Sequence, residues 1–164
     1  MSEIHDHYLD IIANGEEAEA ELEIERLFRF THKYITGMSV QLFVSFPRSE
    51  GRKKGRVYRL FGHKNDLVSF SKHDALITGQ ELKKITILPV GTTPPCKNFS
   101  SFFRAKFSHD KKILGNNYLK FPMTSNTNGH SYNIYVDTVK TEEFLDSDTN
   151  SGHKFGFGRY LPFF

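Results

Sequence analysis

Tryptophan is missing from this 164-residue sequence, and cysteine occurs once, as Cys96. A single thiol excludes an internal disulfide framework and fits a reducing compartment such as the cytosol. No apolar run approaches the ~20 residues that a membrane-spanning helix needs. The first residues are acidic and polar, unlike the basic and then apolar start of a secretory signal. Net charge is small as well: 22 basic against 19 acidic side chains leave +3, with histidine neutral. That balance permits nucleic-acid contact without arguing for it. What is plentiful is phenylalanine, 16 residues beside seven tyrosines, enough for an aromatic-rich core. With 38% hydrophobic and 25% charged residues the composition is that of a globular chain. Its length suits one ordinary domain or two small ones sharing a core.

The charge is unevenly placed. Six glutamates and no basic residue fill positions 16–25. Arg52, Lys53, Lys54 and Arg56 form a basic loop, and five more basic residues lie between Arg104 and Lys120. Such runs are read either as solvated faces or as anion-facing patches. No internal repeat or low-complexity tract interrupts the chain.

Residues 7–12 read as a strand, broken by Asn14-Gly15, with Asn14 as the expected N-cap of the next element. Ala20, Ile24, Leu27, Phe28, Thr31 and Ile35 recur at spacings of three and four, predicting a helix over 16–35 that Gly37 ends. Its glutamates come early and Arg26, Arg29 and Lys33 late, as the helix dipole prefers. Strands are expected over 38–46 and 56–61, joined antiparallel by the loop 47–55, then a short helix over 65–73 and a strand over 83–90. The order strand, helix, strand, strand, helix, strand is the ferredoxin-like pattern. Gly91-Thr92-Thr93-Pro94-Pro95 reads as a linker. Beyond it, 99–107 and 131–139 alternate as strands, 108–117 reads as a loop or one helical turn, and 147–152 as a polar turn. The expectation is therefore an α+β chain: a ferredoxin-like (βαββαβ) domain over 1–95 and a smaller β-rich half over 96–164.

Read by their chemistry alone, the candidate groups stay ambiguous. His32 follows Phe28 by one helical turn at the rim of the core, where it is either a general base or a surface or capping histidine. Ser125 and Thr127 beside Asn128-Gly129 have the chemistry of turn formers. His5-Asp6-His7 and the pair His63 and His73 lack further ligands at a recognised metal spacing, so no metal and no cofactor is expected. Gly156-Phe157-Gly158 lacks the strand-to-helix context of a phosphate loop. Phe99, Phe102, Phe103 and Phe107 can stack bases or fill a core, and the core reading is preferred.

Three short motifs in order carry a resemblance: His7-Tyr8-Leu9-Asp10-Ile11 at the start, Val44-Ser45-Phe46-Pro47 after His32, and Gly156-Phe157-Gly158-Arg159-Tyr160-Leu161-Pro162-Phe163-Phe164 at the end. The chain resembles the hairpin-cutting endoribonuclease of type I-F CRISPR systems, the f-subtype of the Cas-six family, over roughly residues 6–47, 99–106 and 121–164. The resemblance implies a bacterial cytoplasmic protein and metal-free RNA scission, with His32 as the base and Ser125 positioning the attacking ribose. It also shows departures. Phe155 stands where the family has a tyrosine, and Phe102 and Arg104 stand where it has an arginine and a glutamine that read bases. The family's long arginine-rich helix, which follows Ala105-Lys106 and lies in the hairpin groove, is reduced here to Lys111 and Lys112.

Contacts to ~6–10 phosphates change affinity by roughly 10³–10⁵ between low and moderate salt, so losing them removes much of the binding. A phenylalanine makes no bidentate guanine contact, worth about 1–3 kcal/mol of discrimination. Arg104, Lys106, Lys111 and Lys112 are thus expected to hold a crRNA hairpin weakly or not at all. The resemblance then implies a mimic of the processing subunit, an anti-CRISPR that competes for the Cas-seven backbone subunit. Glu21, Glu25 and Arg159 are its expected partner-facing residues. The alternative is an active processing endoribonuclease that uses His32 and Ser125.

Overall fold

The computed structural model describes residues 6–96, 98–104, 118–125, 127–141, 157 and 160–164. The first sheet contains β1 (His7–Ala13), β2 (Leu42–Ser45), β3 (Val57–Gly62), β4 (Ile85–Ile87) and β5 (Gly91–Thr92), in the order β2-β3-β1-β4 with β5 also on β1. All these pairings are antiparallel. With the helix α1 (Glu17–Met38) between β1 and β2, and α2 (Lys64–Ser71) and α3 (Asp74–Glu81) between β3 and β4, the fold is α+β and ferredoxin-like. The stretch read as a linker, Gly91–Thr92, instead extends this sheet beside His7 and Tyr8.

Several boundaries move from the sequence expectation, each for a local reason. Asn14 does not cap α1: its amide donates to the Lys83 carbonyl at 3.2 Å and to Thr86 Oγ1 at 3.1 Å, tying β1 to β4. Glu16 caps the helix instead, in a reciprocal box with Glu19, whose Oε2 accepts from the Glu16 N–H at 3.3 Å. Gly37 lies inside the last turn, and the left-handed residue that ends the helix is Ser39 (φ 53°). Because α1 runs to Met38, its last turn holds no basic residue, and Arg26, Arg29 and Lys33 fall before it. The single short helix expected over 65–73 is two helices. His73 starts the second by accepting the Ala75 N–H at its Nδ1, 3.2 Å away. The β4 strand begins late because Lys83 and Lys84 donate their N–H groups back to Gln80 and Gly79 and close α3.

The second sheet contains β6 (Phe99–Arg104), β7 (Leu119–Thr124), β8 (Ser131–Thr141) and β9 (Tyr160–Pro162), in the order β7-β8-β6-β9. Strand β7 alternates buried Leu119, Phe121 and Met123 with exposed Lys120, Pro122 and Thr124, as a half-covered strand must. Pro122 is tolerated because β7 is an edge strand. The segments 108–117 and 147–152 lie outside the described residues.

One hydrophobic cluster spans both sheets, joining Leu9, Ile24, Leu27, Phe28, Val44, Tyr58 and Leu60 with Phe102, Phe121, Ile134, Val136 and Phe157. Phe28 of α1 stacks on Phe121 at 4.2 Å and on Phe157 at 5.6 Å between ring centroids. Inside this core the Tyr58 hydroxyl donates to Thr31 Oγ1 at 2.7 Å, which donates to the Leu27 carbonyl at 2.8 Å. Burial pushes the Tyr58 phenol far above its ordinary value, so it stays neutral.

The other face of the first sheet is covered by the last residues of the sequence. Phe43, Phe61 and Leu161 form a second cluster with Tyr8 and Phe164 against it. This is why all four residues of β2 are buried although a strand of a half-covered sheet should alternate. At the centre of that face Arg59 (5% exposed) donates Nε and one Nη to the two Asp10 carboxylate oxygens at 2.7 and 2.8 Å. Its other Nη donates to the Phe164 carbonyl at 2.9 Å, and the guanidinium lies 3.9 Å over the Phe164 ring. Replacing one member of such a buried pair leaves the other charge uncompensated, at about 3–5 kcal/mol. Arg59→Met should therefore lower the unfolding free energy by about 3 kcal/mol, and adding Asp10→Leu should recover a large part of it. Urea denaturation of the two variants and the parent measures this.

Candidate functional site

The seam between α1, the loop 48–56 and β7 gathers the basic loop with Glu21 and Glu25. The loop is shaped by Gly51 (φ 60°) and Gly55 (φ 77°). At Gly55 a Cβ would approach the Arg48 carbonyl oxygen to 2.6 Å, so only glycine fits. This turn drives Lys54 inward. The residue is 4% exposed, and its Nζ lies 3.0 Å from Glu25 Oε1 and 3.7 Å from Glu21 Oε2. It also sits 5.2 Å over the Phe121 ring, while its backbone N–H donates to Glu21 Oε1 at 3.2 Å.

The other basic groups of the loop are engaged too. Arg52 lies 5.0 Å over the Tyr118 ring, Lys53 pairs with Glu17 at 3.2 Å, and Arg56 donates to the Gly15 and Ala13 carbonyls at 2.6 and 3.3 Å. The loop is therefore a strap that fastens the two sheets to α1. Lys54 alone of its basic residues is buried; Arg52, Lys53 and Arg56 stay exposed beside their partners.

Glu21 and Glu25, expected as exposed partner-facing residues, are corrected by the same geometry. Both are half-buried, and their carboxylates are committed to Lys54. A lysine this deeply buried is stable as a cation only beside such partners. Lys54→Met, which strands two carboxylates at the seam, is expected to lower stability by about 3 kcal/mol in chemical denaturation.

His32 stands half-buried on α1, and its carbonyl accepts the Thr36 hydroxyl at 2.6 Å. One turn earlier, Arg29 donates to the Pro122 carbonyl at 3.1 Å. Three contacts join the elements at one place on β7: Lys54, paired with Glu21 and Glu25, lies over Phe121; Phe28 stacks on Phe121; Arg29 reaches Pro122. The next helical turn carries His32, and the continuation of β7 carries Ser125. Ser125 closes the turn after β7: its N–H donates to the His130 carbonyl, its carbonyl accepts the Gly129 N–H, and its Oγ accepts the Thr127 N–H at 3.3 Å. Gly129 supplies the positive φ of 69° that this turn needs.

Phe102 is core, 2% exposed and edge-on to Phe46 at 5.2 Å, as preferred from the sequence. Of Arg104 the structure describes the backbone, paired with Val136. Lys106, Lys111, Lys112, Phe155 and Arg159 lie outside the described residues. His73 is a helix cap that also packs on Phe30 at 4.7 Å. The Arg59–Asp10 pair was not anticipated. Its signal was present as single charges of opposite sign in the otherwise apolar runs Tyr8–Ile12 and Val57–Phe61.

No protein-family model matches the sequence, and no curated protein matches it significantly. Among solved structures, a chlorite dismutase-like protein is similar at 10% identity, over 80% of this chain and 78% of that one, with a TM-score of 0.25. At that score the likeness carries no argument about chemistry or fold. No helix among the described residues is long and apolar enough to cross a membrane.

Proposed function

We propose that this protein is a mimic of the type I-F crRNA-processing subunit, an anti-CRISPR that occupies Cas partners while holding little RNA. The observation that carries the reading is Phe102. The resemblance assigns its position to a base-reading arginine, and here it is an apolar ring packed in the core against Phe46. The burial of Lys54 supports it, since this cation is held by Glu21 and Glu25. In this reading the ferredoxin-like frame is kept for docking onto the Cas-seven backbone subunit. The residues expected to dock are Glu21 and Glu25 on α1 and, from the resemblance, Arg159.

A second reading is favoured by a different observation. His32 stands half-buried on α1 and Ser125 follows β7, and the resemblance assigns both to a metal-independent endoribonuclease. The two readings separate at His32. In a gel-shift titration at physiological salt, the mimic should give no shift of a type I-F repeat hairpin at nanomolar protein. It should also co-purify with type I-F Cas subunits under conditions in which the genuine nuclease does. His32→Ala should leave its interference with CRISPR activity intact. An enzyme would instead cut the hairpin once at its base, and His32→Ala would slow that cut by ~10²–10⁴-fold.

A further inference from the structure

The opposite flank of α1 has its own unexplained feature. Leu22 and Leu82 are 62% and 61% exposed, unusual for leucines on a small domain, and they line one groove between α1 and the α3–β4 turn. The groove is a cleft of about 430 Å³ continued by an apolar pocket of about 130 Å³, and the two share Glu23, Arg26 and Leu82. Its floor is the side chains of Leu27, Leu76 and Ile85. The walls differ in charge. The α1 wall carries Glu19 and Glu23, the latter shared with Arg26 at 3.6 Å. The opposite wall carries Lys83 and Lys84, both exposed, whose ammonium groups join no ion pair among the described residues. Lys83 is held there in a left-handed conformation (φ 59°) by the cap of α3 and by Asn14.

We propose that this groove is a homodimer face. In it Leu22 of each copy seats against Leu82 of a second copy, and the glutamate wall of each lies over the lysine wall of the other. A two-fold contact is self-complementary by construction: residue i meets j, and j meets i. A surface with an apolar anchor, a net negative wall (Glu19 and Glu23 against Arg26) and a positive wall (Lys83 and Lys84) satisfies that condition with no further partner. A partner carrying a single sign of charge would leave one wall opposed by like charge. This inference stands on the α3 flank of α1 and is independent of the proposed function, which uses the other flank.

Sedimentation equilibrium across the micromolar range, on the full chain of 18.9 kDa, tests it with two exposed-site variants. Wild type should form a dimer. Leu22→Asp and Leu82→Lys should each raise the dissociation constant by roughly tenfold or more, because a two-fold contact meets each substitution twice. Mixed together, the two variants should associate again, since their contact has one Asp–Lys pair and one intact Leu–Leu pair. Circular dichroism matching wild type shows that both variants fold. A wild type that stays monomeric overturns the proposal, as does a dimer that survives both substitutions or a mixture that does not recover. A monomer whose groove is instead taken by a Cas subunit overturns it too.

Discussion

Arg59 sits on the central β3 strand with its guanidinium on the sheet face away from the helices, and a buried cation there must be answered on every side. Asp10 on the neighbouring strand answers it with two oxygens, and the Phe164 carbonyl and ring close it from above. These contacts fix more than one pair. They pin the β1–β3 register, because a one-residue slip would turn Asp10 to the helix side of the sheet. They also hold the closing residues over the sheet. Since β9 hydrogen-bonds to β6, this anchors the second sheet against the first. Without that cover, Phe43 and Phe61 would lie on an open face.

The helix α1 is the other shared element. One side packs Leu27 and Phe28 into the core common to both sheets, a second side meets Lys54 and β7, and a third faces α3. The strap 48–56 explains how a basic loop coexists with a modest net charge and an acidic helix: the two runs neutralise each other at the seam. Of these cations only Lys54 is withdrawn from the surface. The residues that remain outward on the α3 flank are leucines and lysines rather than an arginine array.

The ferredoxin-like order was legible from periodicity, because each element of that half buries one face and writes its period into the sequence. Ala20, Ile24, Leu27, Phe28, Thr31 and Ile35 are all buried on α1. Helix α3 was not legible. Its apolar residues Ala75, Leu76 and Ile77 are consecutive, and only Leu76 is buried, so no helical stripe marks it. The expectation that Glu21 and Glu25 stand fully exposed failed for a related reason. A glutamate on a helix reads as exposed unless the lysine that will be buried beside it, 29 to 33 residues away, is known.

By itself the sequence determined the secondary-structure order, the core face of α1, the aromatic filling and the core role of Phe102, because these follow from local spacing and composition. The tertiary structure alone decided which charges are free. Lys54 and Arg59 are buried by a glycine turn and by the closing residues, and neither event is encoded near the residue it affects. It also decided that Leu22 and Leu82, 60 positions apart in the chain, face one groove. Burial of a charge or exposure of a leucine depends on what the rest of the chain lays over it. Long-range packing sets that, and local pattern does not.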